Sequence, residues 1–168
     1  MDENVMRVFA AELELQCRMI QMGAAGLNHA LQAGDGLGVW FYLQSILVSA
    51  ANVSKIVTGK GRDRLRERLR LDVATLAITT RSVRNDFEHF DERIEKWYGP
   101  EGGQIYVGRY VGPPDALRIT APHRPDRLFH RFDPSSNLVS FWDNEVDVQQ
   151  LVTEAEMIHE RVTEMLAE

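Results

Sequence analysis

A long proline-free stretch of helix-forming residues opens the chain and limits the folds that it can adopt. Residues 4–33 are dominated by Ala, Glu, Leu, Gln and Met, which all favour helices. Gly34-Asp35-Gly36 then interrupts the pattern, and glycine suits the left-handed residue that ends many helices. Residues 38–58 are apolar on most sides, as expected for a helix at the centre of a bundle or in an interface. The sequence therefore predicts two consecutive helices that pack against further helices.

Two more long helices are predicted later in the chain. Asp72 is typical of a helix N-cap, and the helix after it should run to about Trp97, before the glycines and proline of 99–103. Its second half carries an apolar stripe with alternating steps of four and three: Val83, Phe87, Phe90, Ile94 and Trp97. The last helix should begin at Asp147, and its apolar stripe continues to Met165.

The segment from about 104 to 142 has a different character from the rest of the chain. It is rich in β-forming residues and contains prolines and glycines, and Asp133–Ser136 is typical of a turn. The segment is too small to be a separate domain. The sequence thus predicts a mainly α fold with a single domain over 1–168. It should be an antiparallel bundle of four to five helices, with a small β-hairpin or antiparallel sheet inserted before the C-terminal helix.

The amino-acid composition limits the cellular compartment and the class of partner that we expect for the chain. With Cys17 as its only cysteine, the chain can form neither an intrachain disulfide nor a cysteine-rich metal site, which favours a reducing compartment. No apolar run reaches the ~20 residues that span a membrane, and the acidic N-terminus does not resemble a signal peptide. We therefore expect a cytoplasmic protein without a membrane partner. The formal net charge of −6 means that any nucleic-acid binding must use a local patch.

The polar side of the predicted helix that ends near Trp97 carries the clearest chemical candidates. On an ideal helix Arg84 and His89 lie roughly 140° apart, because successive residues turn by ~100°. They therefore cannot form a self-contained site on one helix. A symmetric partner that laid its own helix alongside could bring both pairs to a shared cleft. Asn85 is four residues from His89 and could contact it.

These residue types suit the cleavage of a phosphodiester bond in RNA. Histidine both accepts and donates a proton near neutral pH, so His89 could assist the attack of the 2′-hydroxyl or protonate the leaving oxygen. The Arg84 guanidinium matches phosphate oxygens and could stabilise the charge of the transition state. Asn85 could orient the imidazole or bind a phosphate oxygen. The carboxylates of Glu88, Asp91 and Glu92 could instead hold Mg²⁺, but their directions on a helix do not converge.

The segment Arg84-Asn85-Asp86-Phe87-Glu88-His89 resembles the motif of the HEPN superfamily (higher eukaryotes and prokaryotes nucleotide-binding domains), which is an arginine, four intervening residues and a histidine. The polar residue after the arginine and the helical setting are also similar to HEPN proteins. The resemblance implies a metal-independent endoribonuclease, often a toxin, that works as a homodimer with the motif at the dimer cleft. By that resemblance Arg84 and His89 are the catalytic pair and Asn85 is auxiliary. The expected partners are a second copy of the chain, an RNA substrate and an antitoxin protein, with no cofactor and no metal.

The chain contains one basic cluster, in the segment RDRLRERLR at 62–70. Two leucines four residues apart favour a short docked helix with its arginines outward, and these arginines are the candidate RNA-binding residues: Arg62, Arg64, Arg66, Arg68 and Arg70.

Each of these features also has a simpler interpretation. Arg84 and His89 could form ion pairs with Glu88 and Glu92 on a solvated face, and the arginine cluster could be a solvated helix with salt bridges. The competing functional class is a non-catalytic helical bundle that serves in dimerisation or protein interaction.

Overall fold

The first two helices form a hairpin. The computed structural model of the chain describes residues 1–98, 108–116, 128–142 and 144–168, in which α1 spans Glu3–Ala33 and α2 spans Gly36–Thr58. Gly34 ends α1 in the left-handed region with φ of 68°. The Asp35 carboxylate then caps α2 by accepting a hydrogen bond from the Gly38 amide at 2.9 Å. The prediction of two helices separated at residues 34–36 is confirmed.

Two glycines of α1 allow the helices of the hairpin to approach closely. A Cβ atom on Gly23 would lie 2.7 Å from Cγ1 of Ile46, and one on Gly26 would overlap the ring of Tyr42. About half of the residues of α2 are buried, in agreement with its apolar sequence, whereas Leu37, Phe41 and Val48 are exposed. The hairpin core combines the inner stripe of α1 with the buried residues of α2, and its fully buried members include Leu13, Cys17, Ile20, Leu43, Ile46 and Val53.

The prediction of one continuous helix from Asp72 to Trp97 is wrong. After the short helix α3, Asp63–Arg68, the chain forms a 3₁₀ turn at Ala77–Thr79. The Asp72 carboxylate accepts a hydrogen bond from the Ala74 amide in a local turn. The Thr79 hydroxyl donates to nearby backbone carbonyls, and such local bonds compete with a helix.

The second half of the predicted helix forms as two short helices, α4 at Ser82–Glu88 and α5 at Phe90–Trp97. His89 lies between them with φ −106° and ψ 36°, outside helical values. Its amide still donates to the Asn85 carbonyl at 3.0 Å, and its carbonyl accepts from the Arg93 amide at 3.2 Å. The break is therefore a local distortion in a nearly continuous path of the chain.

The β region is a four-stranded sheet in the order β1-β2-β3-β4. Its strands are β1 at Tyr110–Val111, β2 at His130–Asp133, β3 at Leu138–Phe141 and β4 at Asn144–Asp147. β1 pairs with β2 in parallel and the other pairs are antiparallel. This confirms a small sheet before the C-terminal helix, although β1 makes it mixed and β4 was not predicted. The β-forming stretches at 105–107 and 117–120 lie outside the described residues.

The C-terminal helix α6, Val148–Ala167, completes a mainly α fold, as predicted. The described residues divide into two compact units: Met1–Arg81 with Gln149–Glu168, and Ser82–Val148. The first unit holds α1, α2, α3 and nearly all of α6, whereas the second holds α4, α5 and the sheet. The expectation that 1–168 is a single domain stays a prediction.

The helix α2 bears on whether part of the chain could span a membrane. Among the described residues, α2 alone has the length and apolar composition to cross a membrane, and 50% of its most apolar window is buried inside the protein. A buried core helix of a soluble protein has the same composition, so this observation is weak support for a membrane span. The expectations of a cytoplasmic location and of no membrane partner stay predictions.

Candidate functional site

Arg84 lies on α4 and is held by residues of the same helix. Its side chain is only 15% exposed, and its Nη2 lies 2.5 Å from Oε1 of Glu88. Its Nη1 donates to Oδ1 of the neighbouring Asn85 at 3.2 Å. The guanidinium thus sits between an amide oxygen and a carboxylate, and a phosphate that binds Arg84 has to replace at least one of them.

His89 lies at the break between α4 and α5, and its ring is 56% exposed. Its Nδ1 lies 3.6 Å from Oε1 of Glu92, so the two attract each other when the ring is protonated. Among the hydrogen bonds of the described residues, none joins the His89 ring to Arg84 or to the side chain of Asn85. The imidazole is open to solvent, whereas the Arg84 guanidinium is largely covered.

The basic cluster is largely occupied by contacts within the chain. The Arg62 guanidinium lies over the ring of Phe9, 3.7 Å from its centre, and Arg66 donates to the Val57 carbonyl at 2.8 Å. These two side chains therefore dock inward, which differs from the expectation that all the arginines point outward.

The rest of the cluster lies nearer to solvent. Arg64 pairs with Glu3 at 2.8 Å, and Arg68 pairs with Glu168. Arg70 is exposed and has a left-handed backbone with φ of 50°. Of the five arginines, Arg70 alone has a side chain with no hydrogen bond, ion pair or ring contact in the described part of the chain, and it is the most available to a phosphate. The cluster belongs to the first unit, whereas the motif residues of α4 belong to the second.

The sequence did not single out Asp86, which is buried within the motif. Its carboxylate accepts one hydrogen bond from Nε of Arg93 at 2.8 Å and another from Nδ2 of Asn144 at 2.7 Å. These bonds tie α4 to α5 and β4, and they fix the helix that carries Arg84. One signal could have revealed this burial, because Asp86 lies three residues after Val83 and so falls on the apolar side of the helix.

A cavity of about 240 Å³ opens beside this network. It is lined by Asp86, Arg93, Lys96, Trp142 and Asn144. Arg93 also lies 3.5 Å from Glu92, the carboxylate that faces His89. The network therefore reaches from the buried side of α4 to the neighbourhood of the exposed imidazole.

The other distinctive histidine is a core residue. The His130 ring lies among the rings of Phe87, Phe129 and Phe141, with centroid distances of 5.0, 4.6 and 4.0 Å. Burial, helped by the nearby charge of Arg109, lowers the pKa of His130 to about 4. Its imidazole is therefore neutral near neutral pH and packs as an aromatic ring.

Two further points concern the reactivity of Cys17 and metal binding by the described residues. Cys17 is buried in α1, and its burial raises the pKa of the thiol to about 12, so this cysteine is unreactive at neutral pH. No group of three or more His, Cys, Asp or Glu side chains that could hold a metal ion occurs within the parts of the chain that the structure covers.

Comparison with known proteins adds no relative. No family model, no curated protein and no solved structure matches the chain. The resemblance to HEPN proteins thus depends on Arg84, Asn85 and His89 and on their helical setting, and it stays a prediction.

Proposed function

We propose that the protein binds RNA and cleaves it as a metal-independent endoribonuclease of the HEPN type, working as a toxin-like homodimer. The observation that carries the proposal is the arrangement at α4 and the break that follows it, where Arg84 lies beside an amide and a carboxylate while the His89 ring remains open to solvent. A permanently charged guanidinium and an accessible imidazole are the two groups that phosphodiester cleavage needs most.

The reaction is an attack of the RNA on its own backbone. Neutral His89 accepts the proton of the 2′-hydroxyl as the 2′-oxygen bonds to phosphorus. The bond between phosphorus and the 5′-oxygen then breaks, and the leaving oxygen takes a proton from a second, protonated imidazole, supplied by the His89 of the other protomer. The products are a 2′,3′-cyclic phosphate and a 5′-hydroxyl. Arg84 stabilises the extra negative charge on the phosphate oxygens in the transition state.

The contact between Arg84 and Glu88 sets a condition on this mechanism. A phosphate must compete with the carboxylate for the guanidinium. Glu88 is 43% exposed, so its carboxylate can move away into water when a phosphate takes its place. Arg84 itself is largely covered, so the exchange moves Glu88 and leaves the arginine in place.

The proposal is tested with purified protein and total RNA in EDTA. We expect the wild type to cleave RNA, whereas Arg84→Ala and His89→Ala should each reduce the cleavage rate at least ~100-fold, as loss of a general acid–base or charge-stabilising group does. His29→Ala is the matched control, because it removes an exposed histidine of α1. If the folded, dimeric wild type is as inert as both variants, the ribonuclease proposal is wrong.

A second candidate function is a non-catalytic dimerisation or protein-interaction module. It is favoured by the ion pairs of Arg84 with Glu88 and of His89 with Glu92, which are typical of a solvated helix surface. In that case the inert outcome above is expected, together with retained self-association. Co-purification of an antitoxin that blocks cleavage would support the ribonuclease instead.

A further inference from the structure

The cavity beside Asp86 brings two cationic side chains together in a chain whose net charge is −6. Arg93 and Lys96 lie three residues apart on one side of α5. Asn144 begins β4, and Trp142 lies between β3 and β4. All of these residues belong to the second unit. The lining therefore holds two positive charges and one negative charge, that of Asp86.

The Asp86 carboxylate is already paired inside the lining. Its Oδ1 accepts a hydrogen bond from Nε of Arg93 at 2.8 Å, and its Oδ2 accepts one from Nδ2 of Asn144 at 2.7 Å. Only 7% of the Asp86 side chain is exposed. The carboxylate thus orients two donor side chains, and a ligand in the cavity meets those donors more than the carboxylate itself.

Arg93 and Lys96 retain N–H donors that no described residue accepts. A guanidinium has five N–H donors in a fixed fork. Arg93 uses Nε for Asp86, and its Nη1 lies 3.5 Å from Glu92, whereas Nη2 has no hydrogen bond or ion pair with any residue whose position the structure gives. In the segments that the structure describes, the exposed Lys96 ammonium has no carboxylate partner and no hydrogen bond. These free donors point to an anion as the ligand.

Trp142 forms an aromatic wall of the cavity and has an unusual backbone. Its φ is 53°, in the left-handed region that a bulky side chain rarely adopts. Its amide donates to the Phe129 carbonyl at 3.0 Å, and its ring stands nearly perpendicular to that of the buried Trp97, with 5.7 Å between the centroids. Such residues persist where neighbouring contacts fix them, and they recur at ligand sites.

From these contacts we infer that the cavity binds a phosphate monoester. A monoester carries about 1.5–2 negative charges at neutral pH, which match the two cationic groups of Arg93 and Lys96. The Asn144 amide has a second N–H for a phosphate oxygen. The volume of about 240 Å³ lies below the ~300–1,000 Å³ of typical small-molecule sites, so the cavity suits a terminal phosphate with its neighbouring atoms. The Trp142 ring packs against the group that carries the phosphate.

The inference goes beyond the proposed function, because it requires neither Arg84 nor His89. The phosphate monoester can belong to a free nucleotide or to the end of an RNA, and the test separates these two sources.

The test measures binding to the full-length protein by isothermal titration calorimetry at constant ionic strength. The probes are adenosine 5′-monophosphate, adenosine, and a short RNA with either a 5′-phosphate or a 5′-hydroxyl. We expect the wild type to bind the monophosphate but not adenosine. Lys96→Gln should weaken this binding at least ~10-fold, as loss of a charge-assisted hydrogen bond does. Lys55→Gln is the matched control, because it removes the same charge from an exposed position of α2.

Arg93→Lys is a second variant, since it keeps the charge but loses the fork that serves Asp86 and the phosphate together. It should also weaken binding at least ~10-fold, and circular dichroism should show that its helix content is unchanged. Lys96 is exposed, so Lys96→Gln decides the test if Arg93→Lys fails to fold.

The inference is overturned if the wild type binds neither the monophosphate nor the 5′-phosphorylated RNA, or if Lys96→Gln binds as tightly as Lys55→Gln. Equal affinity for adenosine and its monophosphate also overturns it, because the phosphate is then not recognised. Tighter binding of the phosphorylated RNA than of its 5′-hydroxyl form assigns the monoester to an RNA end. Equal affinity for the two RNAs, with the monophosphate still bound through Lys96, assigns it to a free nucleotide.

The fate of this inference is separate from that of the proposed function. Binding of the monophosphate that is lost in Arg84→Ala but kept in Lys96→Gln places the phosphate at the motif, which overturns the inference and supports the ribonuclease. Binding that depends on Lys96 in a protein that does not cleave RNA supports the inference, although the proposed function is then wrong.

Discussion

Arg84 is restrained by the carboxylate one helical turn away. Its Nη2 lies 2.5 Å from Glu88, and the pairing neutralises the guanidinium that the proposed mechanism directs at phosphate. The sequence alone permits this pair, because residues four apart on a helix are neighbours. The sequence could not predict the unequal exposure of the two side chains. This difference makes Glu88 the partner that can move. Glu88 thereby becomes the residue that controls access to Arg84.

Replacing Glu88 with Gln should therefore strengthen RNA binding. The substitution releases Arg84 for a phosphate, and one further contact to single-stranded RNA should steepen the dependence of log K on log salt concentration by ~0.7. Fluorescence anisotropy with a labelled RNA at several salt concentrations measures both effects. Glu95→Gln removes an equal charge from an exposed position of α5 and serves as the control. Equal affinities and slopes for the two variants would mean that Arg84 does not contact phosphate.

His130 makes the stability of the second unit depend on pH. Its pKa is about 4 in the folded chain against an ordinary value of 6.5, so the unfolded chain binds a proton first as the pH falls. The associated free energy of unfolding, on the order of 3 kcal/mol, is fully present above pH 6.5 and is lost as the pH falls towards about 4. His130→Phe should flatten this part of the profile in urea titrations, whereas His29→Gln should not. A wild-type profile that stays flat between these pH values contradicts the assignment.

At the scale of elements, the sequence predicted α1, α2 and α6 well because each has a long apolar stripe and a clear stop or start. It failed between Asp72 and Trp97, where Thr79 bonds to local carbonyls and His89 departs from helical geometry. Helix propensity does not include such competition, because the hydrogen bonds that compete with a helix depend on the folded structure around the backbone.

In the candidate site, too, the sequence did not predict contacts that depend on the folded structure. The motif residues were found from their spacing, but their polar partners were not. The bond from Asn144 to Asp86 spans 58 residues and joins β4, which was not predicted, to α4. No local pattern encodes that pairing. The alternation of charge around Arg84 and His89, in contrast, was enough to suggest their ion pairs with Glu88 and Glu92 in advance.

At the scale of the whole molecule, the second unit is an insertion in the first. The chain leaves the first unit at Arg81 and returns to it at Gln149, so α6 must be fixed to residues that precede the insertion. Glu154 of α6 makes this connection: its two carboxylate oxygens accept hydrogen bonds from the amides of Ala77 and Ile78 at 2.9 and 2.7 Å. This side chain thus helps to close the first unit across the inserted sequence, together with Arg161 of α6, which donates to the carbonyls of Leu69 and Arg70.

Removing that side chain should destabilise the first unit. Glu154→Ala leaves two partly buried amides without their acceptor, and loss of hydrogen bonds to a charged group costs about 2 kcal/mol or more. Urea unfolding followed by circular dichroism measures the free energy of unfolding. Glu156→Ala removes an exposed carboxylate from the same helix and should change that free energy by less than ~0.5 kcal/mol. If the two variants are equally stable, the Glu154 connection contributes nothing measurable to the fold, and α6 is held to the first unit by its apolar stripe and by Arg161, which donates to the Leu69 and Arg70 carbonyls.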